Sequence, residues 1–373
     1  MSITEVRGIL LKDPEALCSH HIGHTTINRK ERYSHGFRWK LGINTNPCIQ
    51  LRERKRCVYC GFINYHNPVS PLKVGQVFSK VFKSSDLSDV HRLELYVSGS
   101  FFDDEEVSPD SRLEIVKLVK ESGIGELVLE SRPEFITERN LEPLLDIMDG
   151  RRITIAIGVE TMDDRVRNKL AKGFSARDFI TSVSRIAQAG MRVQAYLLLN
   201  PPAINNDRKA VIDIINSSTK IIGLTSKMNC PLTLAIQPFF IAKNSILAES
   251  SSPKGLPRPP WLYTIALTLR LLDSIRRIAN EPDLHIIVGN ENDNVDPVLV
   301  PSNYTNDGNV CPCTKRIKEY LHEVNISRER MLEIVHKILG SPCSCKKIWE
   351  DEIGCKANES NLTQLLHFGF QAG

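Results

Sequence analysis

Residues 38–60 read RWKLGINTNPCIQLRERKRCVYC, and they contain the three most informative side chains of the sequence, Cys48, Cys57 and Cys60. The cysteines follow a strand-like run at residues 38–46 with the spacing Cys-x8-Cys-x2-Cys. A loop of this length can wrap one face of an iron–sulfur cluster and supply three thiolate ligands. Three thiolates leave one iron of a four-iron cluster open to a cofactor with amino and carboxylate groups, such as S-adenosylmethionine. The triplet therefore predicts radical chemistry on a [4Fe–4S] cluster.

Two other interpretations of the triplet remain open at this point. A structural zinc site would need a fourth cysteine or histidine close to the three, and His66 is available. The spacing could also arise by chance. The pattern of segments downstream of the triplet favours the cluster.

Strand-like and helix-like segments alternate from the triplet onward. Six short runs rich in apolar and β-branched residues are predicted to be strands, at 38–46, 93–99, 126–132, 152–160, 192–200 and 232–240. Five segments between them carry apolar residues at three- and four-residue spacing and are predicted to be helices, at 74–82, 111–121, 138–148, 176–189 and 208–217. Six strands with five crossovers predict a partial parallel (β/α)6 barrel, whose active site lies at the C-terminal ends of the strands.

Polar residues stand at the C-terminal ends of five predicted strands, where a fully buried parallel strand does not need them. Each has an ordinary explanation, because serine and glycine often end strands and an arginine there can form a salt bridge. Five such ends on the same side of a barrel are less easily dismissed, and they favour a binding site. The residues are Ser98, Gly99, Ser100, Glu130, Arg132, Glu160, Tyr196 and Gln237.

Several longer stretches resemble radical SAM enzymes, and more closely the archaeosine-synthesis radical SAM proteins, which are similar to the catalytic subunit of Elongator. The matching stretches run in order over roughly residues 40–320. They are SGSFFDDEEV at 98–107, ESRPEFI at 130–136, AIGVET at 156–161, Lys172-Gly173-Phe174, AYLLLNPP at 195–202 and RPPWL at 258–262.

The resemblance implies an enzyme, a lyase or transferase, that binds a [4Fe–4S] cluster and reductively cleaves S-adenosylmethionine, usually to a 5′-deoxyadenosyl radical. It implies that Cys48, Cys57 and Cys60 hold the cluster. It further implies that Ser98, Gly99 and Ser100 meet the amino group of the cofactor, that Arg132 grips its carboxylate, that Glu160 accepts from its ribose hydroxyls, that Lys172 matches a basic-glycine element and that Tyr59 packs on its adenine. Glu130, Tyr196 and Gln237 complete the predicted cofactor-binding set.

Composition bounds the organisation of the chain. A sequence of 373 residues with 41% hydrophobic content is long enough for one barrel and a small appendage. We predict an N-terminal extension at 1–37, the barrel at 38–290 and a helical, cysteine-containing appendage at 291–373, with a long loop at 290–309. The sequence has no leader and no apolar run of membrane length, which predicts a cytoplasmic protein without membrane contact. A net charge of +4 gives only weak support for nucleic-acid binding.

A second cysteine group lies beyond the predicted barrel. Cys311, Cys313, Cys343 and Cys345 form two Cys-x-Cys pairs around a helix-like stretch at 316–339, with Cys355 further on. If that stretch turns back on itself, the two pairs offer four soft ligands for a zinc ion or an auxiliary iron–sulfur cluster, and free thiols are the alternative. Cys18 and Cys230 are predicted to be buried small residues, and His20, His21 and His24 an N-terminal polar loop.

Two functions of different classes are compatible with the sequence. The resemblance implies cleavage of a carbon–nitrogen bond in an amino-acid adduct of a 7-deazaguanine base in tRNA. The alternative is small-molecule biosynthesis on the same core, with transfer of the 3-amino-3-carboxypropyl group of the cofactor. Either requires a reductant such as flavodoxin or ferredoxin, and a partner enzyme that supplies the substrate is compatible with both.

Overall fold

The computed structural model describes residues 25–33, 36–61, 68–148, 152–250, 255–281, 283–289 and 297–354 of the 373-residue chain. These residues contain an eight-stranded sheet in which seven strands run parallel. Cys18, His20, His21, His24, His66 and Cys355 lie outside the described residues, so the predictions about them stay predictions.

The strands follow one another across the sheet in nearly the order of the sequence. They are β1 (Thr25–Tyr33), β2 (Gly36–Ile43), β3 (Val90–Tyr96), β4 (Glu126–Glu130), β5 (Arg152–Glu160), β6 (Arg192–Leu199), β7 (Leu232–Pro238) and β9 (His285–Val288). Strand β1 is antiparallel to β2 at one edge, and β9 forms the other edge. A separate pair joins β8 (Ile241–Ala242) to β10 (Pro297–Leu299).

Helices connect the strands and form the C-terminal part. They are α1 (Ile49–Arg52), α2 (Val74–Ser84), α3 (Pro109–Ser122), α4 (Glu138–Met148), α5 (Asp164–Lys169), α6 (Ala176–Gln188), α7 (Asp207–Lys227), α8 (Ile246–Ser250), α9 (Leu262–Ile278), α10 (Cys313–Ile326), α11 (Met331–Gly340) and α12 (Ser344–Ile353). Within the described part of the chain, no helix combines the length and apolar character that crossing a membrane requires.

The parallel strands alternate between two buried surfaces. On β3, Leu93 and Leu95 join the hydrophobic core with the surrounding helices, whereas Arg92 and Glu94 are buried on the opposite face. The same alternation places Thr154 of β5 on the polar face. The sheet therefore has an apolar outer face covered by helices and a polar inner face.

A hydrogen bond across the inner face shows that the sheet curls into a partial barrel. Nη2 of Arg92 on β3 donates to Oε1 of Gln194 on β6 at 2.7 Å, although β4 and β5 lie between these strands in the sheet. Arg328 spans the two edges, because it donates to the Tyr33 hydroxyl on β1 and its Nη1 lies 2.9 Å from Nδ1 of His285 on β9. The predicted α/β partial barrel is confirmed.

All six predicted strands and all five predicted helices are present, with ends that shift by a few residues except in α7, which continues ten residues beyond its predicted end at 217. Ser108 caps α3, because its side chain accepts a hydrogen bond from the Ser111 N–H. Strands β1 and β9 were not predicted. Strand β1 is polar at most positions and β9 has only four residues, so neither shows a recognisable strand pattern. Strand β1 lies inside the predicted extension at 1–37.

The C-terminal segment is helical, as predicted, and its core is continuous with that of the barrel. The stretch at 316–339 forms α10 and α11, separated by a 3₁₀ turn at Arg328–Arg330, so the chain turns back on itself. Ile317, Ile334 and Trp349 are fully buried in the same hydrophobic core as the barrel helices. The domain boundaries after residues 37 and 290 stay a prediction.

The loop predicted at 290–309 contains a short strand. Pro297 and Leu299 of β10 pair with Ala242 and Ile241 of β8, and Tyr304 forms a bridge with Val310. The prediction of an irregular loop is therefore wrong at 297–299, where pairing with a distant partner earlier in the chain, invisible in the local sequence, makes the strand.

Asn325 on α10 binds both backbone groups of Val288 on edge strand β9. Its Oδ1 accepts from the Val288 N–H at 3.0 Å, and its Nδ2 donates to the Val288 carbonyl at 2.7 Å. Asn325→Ala leaves two buried backbone groups unpaired, so we expect the free energy of unfolding to fall by about 2–4 kcal/mol. Urea denaturation measures this. The control Lys315→Ala, an exposed position of the same helix, should change stability by less than about 0.5 kcal/mol. Equal stability of the two variants would contradict the docking role of Asn325.

Candidate active site

The cysteine loop follows β2 at the C-terminal edge of the sheet. Cys48 precedes α1, and its carbonyl accepts the Arg52 N–H at 3.0 Å. The chain then turns at Arg54, which has a φ of 58°, and the Cys60 N–H donates to the Cys57 carbonyl at 3.1 Å. All three cysteine side chains are partly exposed, so the loop can present them to a ligand.

Gly99 lies directly against Cys48. A Cβ atom on Gly99 would be 2.2 Å from Cβ of Cys48, so only glycine fits at this position. Ser98 secures the approach, because its N–H donates to Oγ1 of Thr45 at 3.0 Å and its hydroxyl donates to the Thr45 carbonyl at 2.9 Å. The end of β3 is thereby held against the chain segment that leads into the cysteine loop.

A buried carboxyl supports the turn that comes after Gly99. Glu106 accepts the Ser100 N–H on both of its oxygens, at 3.1 and 3.0 Å, and the Thr45 hydroxyl at 3.3 Å. Burial raises the pKa of Glu106 to about 8, and the nearby charge of Asp103 adds to the increase. Glu106 is therefore mostly neutral at pH 7 and adds little negative charge beside the cysteine loop.

Arg132 joins three segments at the barrel mouth. Its N–H donates to Oγ of Ser100 at 3.1 Å, its Nε donates to Oε1 of Glu134 at 2.6 Å, and its Nη2 donates to the Lys172 carbonyl at 2.8 Å. The residue is only 9% exposed. The guanidinium is thus held in one orientation by charged and backbone partners before any ligand binds.

Glu160, Lys172 and Tyr59 form a polar chain from the end of β5 to the cysteine loop. Nζ of Lys172 lies 2.8 Å from Oε1 of Glu160 and 3.4 Å from the Tyr59 hydroxyl. A Cβ on Gly158 would lie 2.8 Å from Oε1 of Glu160, so glycine leaves room for this pair. Burial would lower the pKa of Lys172, but the Glu160 carboxylate beside it raises that pKa, and Lys172 is therefore cationic at neutral pH.

Phe174 collects three cations on its ring. The charged groups of Arg132, Arg167 and Lys172 lie 5.3, 5.4 and 5.8 Å from the ring centroid. Each of the three is also paired with a carboxylate, Arg132 with Glu134, Arg167 with Asp164 and Lys172 with Glu160, so the charges around the ring are balanced.

Glu130, Tyr196 and Gln237, the remaining predicted cofactor-binding residues, lie on the inner face of the barrel. The Tyr196 hydroxyl accepts from Nε2 of Gln194 at 3.1 Å, and burial raises the pKa of Tyr196 well above its usual value, with a further increase from Glu130. Gln237 lies against the end of β9, since a Cβ on Gly289 would be 1.6 Å from its Oε1. These residues face the space enclosed by the strands.

A network of buried charges fills the interior near the start of β3. Nε of Arg92 lies 2.8 Å from Oε1 of Glu94, and Nη1 of Arg92 lies 2.8 Å from Oε2 of Glu126. Arg38 pairs with Glu31 at 2.5 Å and with Glu94 at 3.4 Å. Burial alone would raise the pKa of Glu94, but Arg38 and Arg92 hold it well below its usual range. The network is charge-paired and closes this part of the barrel.

The second predicted cysteine group is assembled by the fold. The sulfur atoms of Cys311, Cys313, Cys343 and Cys345 all lie within 4.8 Å of one another. Cys230 is instead buried alone in the core, as predicted, with its sulfur 3.6 Å from the Met191 carbonyl oxygen.

Comparison with known proteins identifies the family. No family model matches the sequence. Archaeosine synthase subunit beta from Thermococcus kodakarensis is 32% identical over 227 residues, which cover 60% of this chain and 68% of the relative. The chain belongs to the archaeosine synthase subunit beta family. The subunit of this name from Methanosarcina acetivorans is 26% identical over 299 residues, 79% of each chain. Among solved structures, queuine lyase from Clostridium spiroforme has a TM-score of 0.41 and 17% identity, over 72% of this chain and 99% of that one.

Membership of the family confirms the resemblance that the sequence showed. The protein is a radical SAM enzyme, and the cofactors of that superfamily are a [4Fe–4S] cluster and S-adenosylmethionine. The residues that hold these cofactors are a separate question. The structure brings Cys48, Gly99, Ser100, Arg132, Glu160, Lys172 and Tyr59 to one end of the barrel through the contacts described above.

Several residues at this end escaped the sequence analysis. Glu106 and Phe174 lie inside stretches that carried the family resemblance, but nothing in the local pattern assigned either a role. The charged interior had a visible signal, because Arg38 and Lys40 on β2 and Arg92 and Glu94 on β3 alternate with apolar residues. This alternation indicates a polar inner face.

Gly99→Ala tests the close approach of β3 to the cysteine loop. The added methyl group cannot fit beside Cys48, so we expect displacement of the loop, a stability loss of about 1–3 kcal/mol and a much lower iron content after anaerobic reconstitution. Iron analysis and the alkylation rate of Cys48 measure the effect. Gly223→Ala in α7 is a matched control, because nothing lies within 4 Å of its Cβ position. A Gly99→Ala protein with the iron content and alkylation rate of the control would show that the contact does not shape the loop.

Proposed function

We propose that the enzyme reductively cleaves S-adenosylmethionine and uses the resulting radical to break a carbon–nitrogen bond in an amino-acid adduct of a 7-deazaguanine base in tRNA. The relatives named archaeosine synthase subunit beta support the substrate class. The observation that carries the proposal is the convergence of the cysteine loop with Gly99, Arg132 and the Glu160–Lys172 pair at one end of the barrel.

The cysteine loop fits a [4Fe–4S] cluster by its donor chemistry. Cys48, Cys57 and Cys60 offer three partly exposed sulfurs on one loop, and the neutral Glu106 avoids repulsion with thiolates. When bound and reduced, the cluster supplies the electron that cleaves the carbon–sulfur bond of S-adenosylmethionine. In this assignment the three cysteines hold the cluster and leave one iron for the cofactor.

The polar residues around the loop fit the remaining parts of the cofactor. Arg132 is already fixed by Glu134 and the Lys172 carbonyl, so it can bind a carboxylate with little loss of side-chain entropy. Glu160 accepts from the ribose hydroxyls, and Lys172 orients the Glu160 carboxylate through the 2.8 Å ion pair. The backbone at Ser98–Ser100, with no side chain at Gly99, receives the amino group.

Three kinds of partner belong to this proposal. Arg54 and Lys55 are exposed on the cysteine loop, where they can meet the phosphates of tRNA. The word beta in the name of the relatives supports a partner subunit, which we propose supplies the amino-acid adduct. A flavodoxin or ferredoxin delivers the electron.

Arg132 and Glu160 form the proposed cofactor clamp. Replacing either residue should weaken the binding of S-adenosylmethionine and leave the cluster in place. Arg132→Ala and Glu160→Ala each remove one charge-assisted interaction, so we expect S-adenosylmethionine to bind about tenfold or more weakly, a cost of about 1.5–3 kcal/mol. Calorimetric titration of the cluster-loaded protein measures the affinity. Arg165→Ala is the matched control, because this nearby arginine is 90% exposed and pairs with Asp163 at the surface. Unchanged affinity in both variants would show that Arg132 and Glu160 do not bind the cofactor.

The products of turnover test the reaction itself. With a reductant and tRNA that carries the adduct, we expect methionine and 5′-deoxyadenosine by mass spectrometry. Alanine at Cys48, Cys57 and Cys60 together should abolish cleavage, whereas Cys230→Ala, a buried cysteine outside both groups, should retain it. Dominant, substrate-dependent 5′-methylthioadenosine would overturn the proposal in favour of 3-amino-3-carboxypropyl transfer. Undiminished cleavage by the triple variant would show that this loop does not hold the cluster.

A further inference from the structure

The four C-terminal cysteines have the geometry of a mononuclear metal site. The sulfur of Cys311 lies 3.4 Å from that of Cys343, Cys313 lies 3.4 Å from Cys345, and Cys343 lies 3.3 Å from Cys345. All four sulfurs lie within 4.8 Å of one another. We propose that they bind one zinc ion, which has a structural role and is separate from the cluster of the cysteine loop.

The sulfur separations discriminate between the possible occupants. A disulfide requires about 2.0 Å between sulfurs, far below the 3.3–3.4 Å found here. A tetrahedron with metal–sulfur distances of about 2.3 Å has sulfur–sulfur edges of about 3.8 Å, close to the observed spacing. A four-iron cluster binds each thiolate through a different iron and so spreads the thiolates further apart. The compact group therefore fits one ion at its centre.

The fold makes the four thiols good ligands. Cys313 is the first residue of α10, Cys343 directly precedes α12, and Cys345 lies in the first turn of α12. Cys311 lies two residues before α10, so the two Cys-x-Cys pairs meet where the starts of α10 and α12 come together.

Two side chains outside the tetrahedron orient the sulfurs. Nδ2 of Asn303 lies 3.4 Å from the sulfur of Cys313. The Tyr263 hydroxyl on α9 lies 3.6 Å from the sulfur of Cys345 and 3.9 Å from that of Cys313. Asn303 and Tyr263 are fully buried. Donors that hold metal-bound thiolates in place are a regular part of such sites.

The donor set favours zinc and a structural role. Four cysteine sulfurs complete a tetrahedral coordination and leave no position for water or substrate, which is typical of structural zinc. The four ligands come from the segment before α10 and from the starts of α10 and α12, and α9 contacts the group only through Tyr263. Beside it, Nε1 of Trp349 on α12 donates to Oγ1 of Thr264 on α9 at 2.9 Å. A metal here would join the start of α10 to the start of α12, and the Trp349–Thr264 hydrogen bond links α12 to α9.

The fastened helices reach the end of β6 through a chain of contacts. Glu352 on α12 accepts from Nη1 of Arg258 at 3.0 Å and from Nε1 of Trp261 at 2.8 Å. The Trp261 N–H donates to Asp207 at 3.0 Å, and Asp207 accepts from Nδ2 of Asn200, which directly follows β6, also at 3.0 Å. The zinc ion thus supports the mouth of the barrel from outside, at a distance of several contacts.

Metal analysis of the full chain tests the proposal. We expect about one zinc per chain after anaerobic purification, in addition to the iron of the cluster. Cys345→Ser should lose the zinc and keep the iron, and alanine at Cys48, Cys57 and Cys60 should lose the iron and keep the zinc. Cys230→Ser should keep both. These outcomes do not depend on the substrate or reaction proposed above, so failure of one proposal leaves the other intact.

A spectroscopic measurement on the unaltered chain covers the case in which Cys345→Ser fails to fold. X-ray absorption at the zinc edge should give four sulfur neighbours at about 2.3 Å. Three results would overturn the proposal. The first is about eight irons per chain without zinc, which indicates an auxiliary cluster. The second is retention of zinc in a folded Cys345→Ser variant, and the third is reaction of all four thiols with an alkylating reagent in metal-loaded protein.

Discussion

The pairing of buried charges inside the barrel is the constraint on which the rest of the structure depends. An unpaired charge is very costly to bury, so Arg92 must meet Glu94, Glu126 and Gln194 at once. These partners stand on three different strands, and a slip of one residue in any of them would turn its polar side chain to the apolar face. The network therefore fixes the strand register and fills the barrel interior near the start of β3. The C-terminal ends of the strands, where the cysteine loop lies, stay outside this network.

The sequence predicted the central strands and helices well because their patterns are local. Parallel strands buried on both faces are short and rich in β-branched residues, and β5 was predicted with its observed ends at Arg152 and Glu160. The edge strands were missed for a physical reason. Strand β1 is stabilised by pairing with β2 and by contacts such as those of Tyr33 with Arg328, and β9 by the two hydrogen bonds of Asn325. Arg328 and Asn325 lie far from these strands in the sequence, and neither strand shows a periodic signal of its own.

The part of the candidate site that could be predicted is the set of residues at the strand ends, because the parallel topology brings these ends together. The parallel order brings the ends of β3, β4 and β5 to one edge, so Gly99, Arg132 and Glu160 converge without any further signal. The partners that set their chemistry could not be predicted. The neutral state of Glu106 depends on its burial, and the crowding of cations around Phe174 depends on three segments meeting. The C-terminal cysteines lacked a familiar spacing, and only the reversal between α10 and α11 brings the two pairs together.

The position of Asn325 and Arg328 in the chain has a consequence for the whole barrel. Both residues lie between the two cysteine pairs, so a metal that joins those pairs closes a loop that contains the side chains holding both sheet edges. Closing a loop of this kind lowers the conformational entropy of the unfolded chain, and a ligand bound only by the folded state shifts folding by mass action. The availability of metal in the cell would thereby shift the folding equilibrium of the barrel, although none of the strands supplies a ligand to the ion.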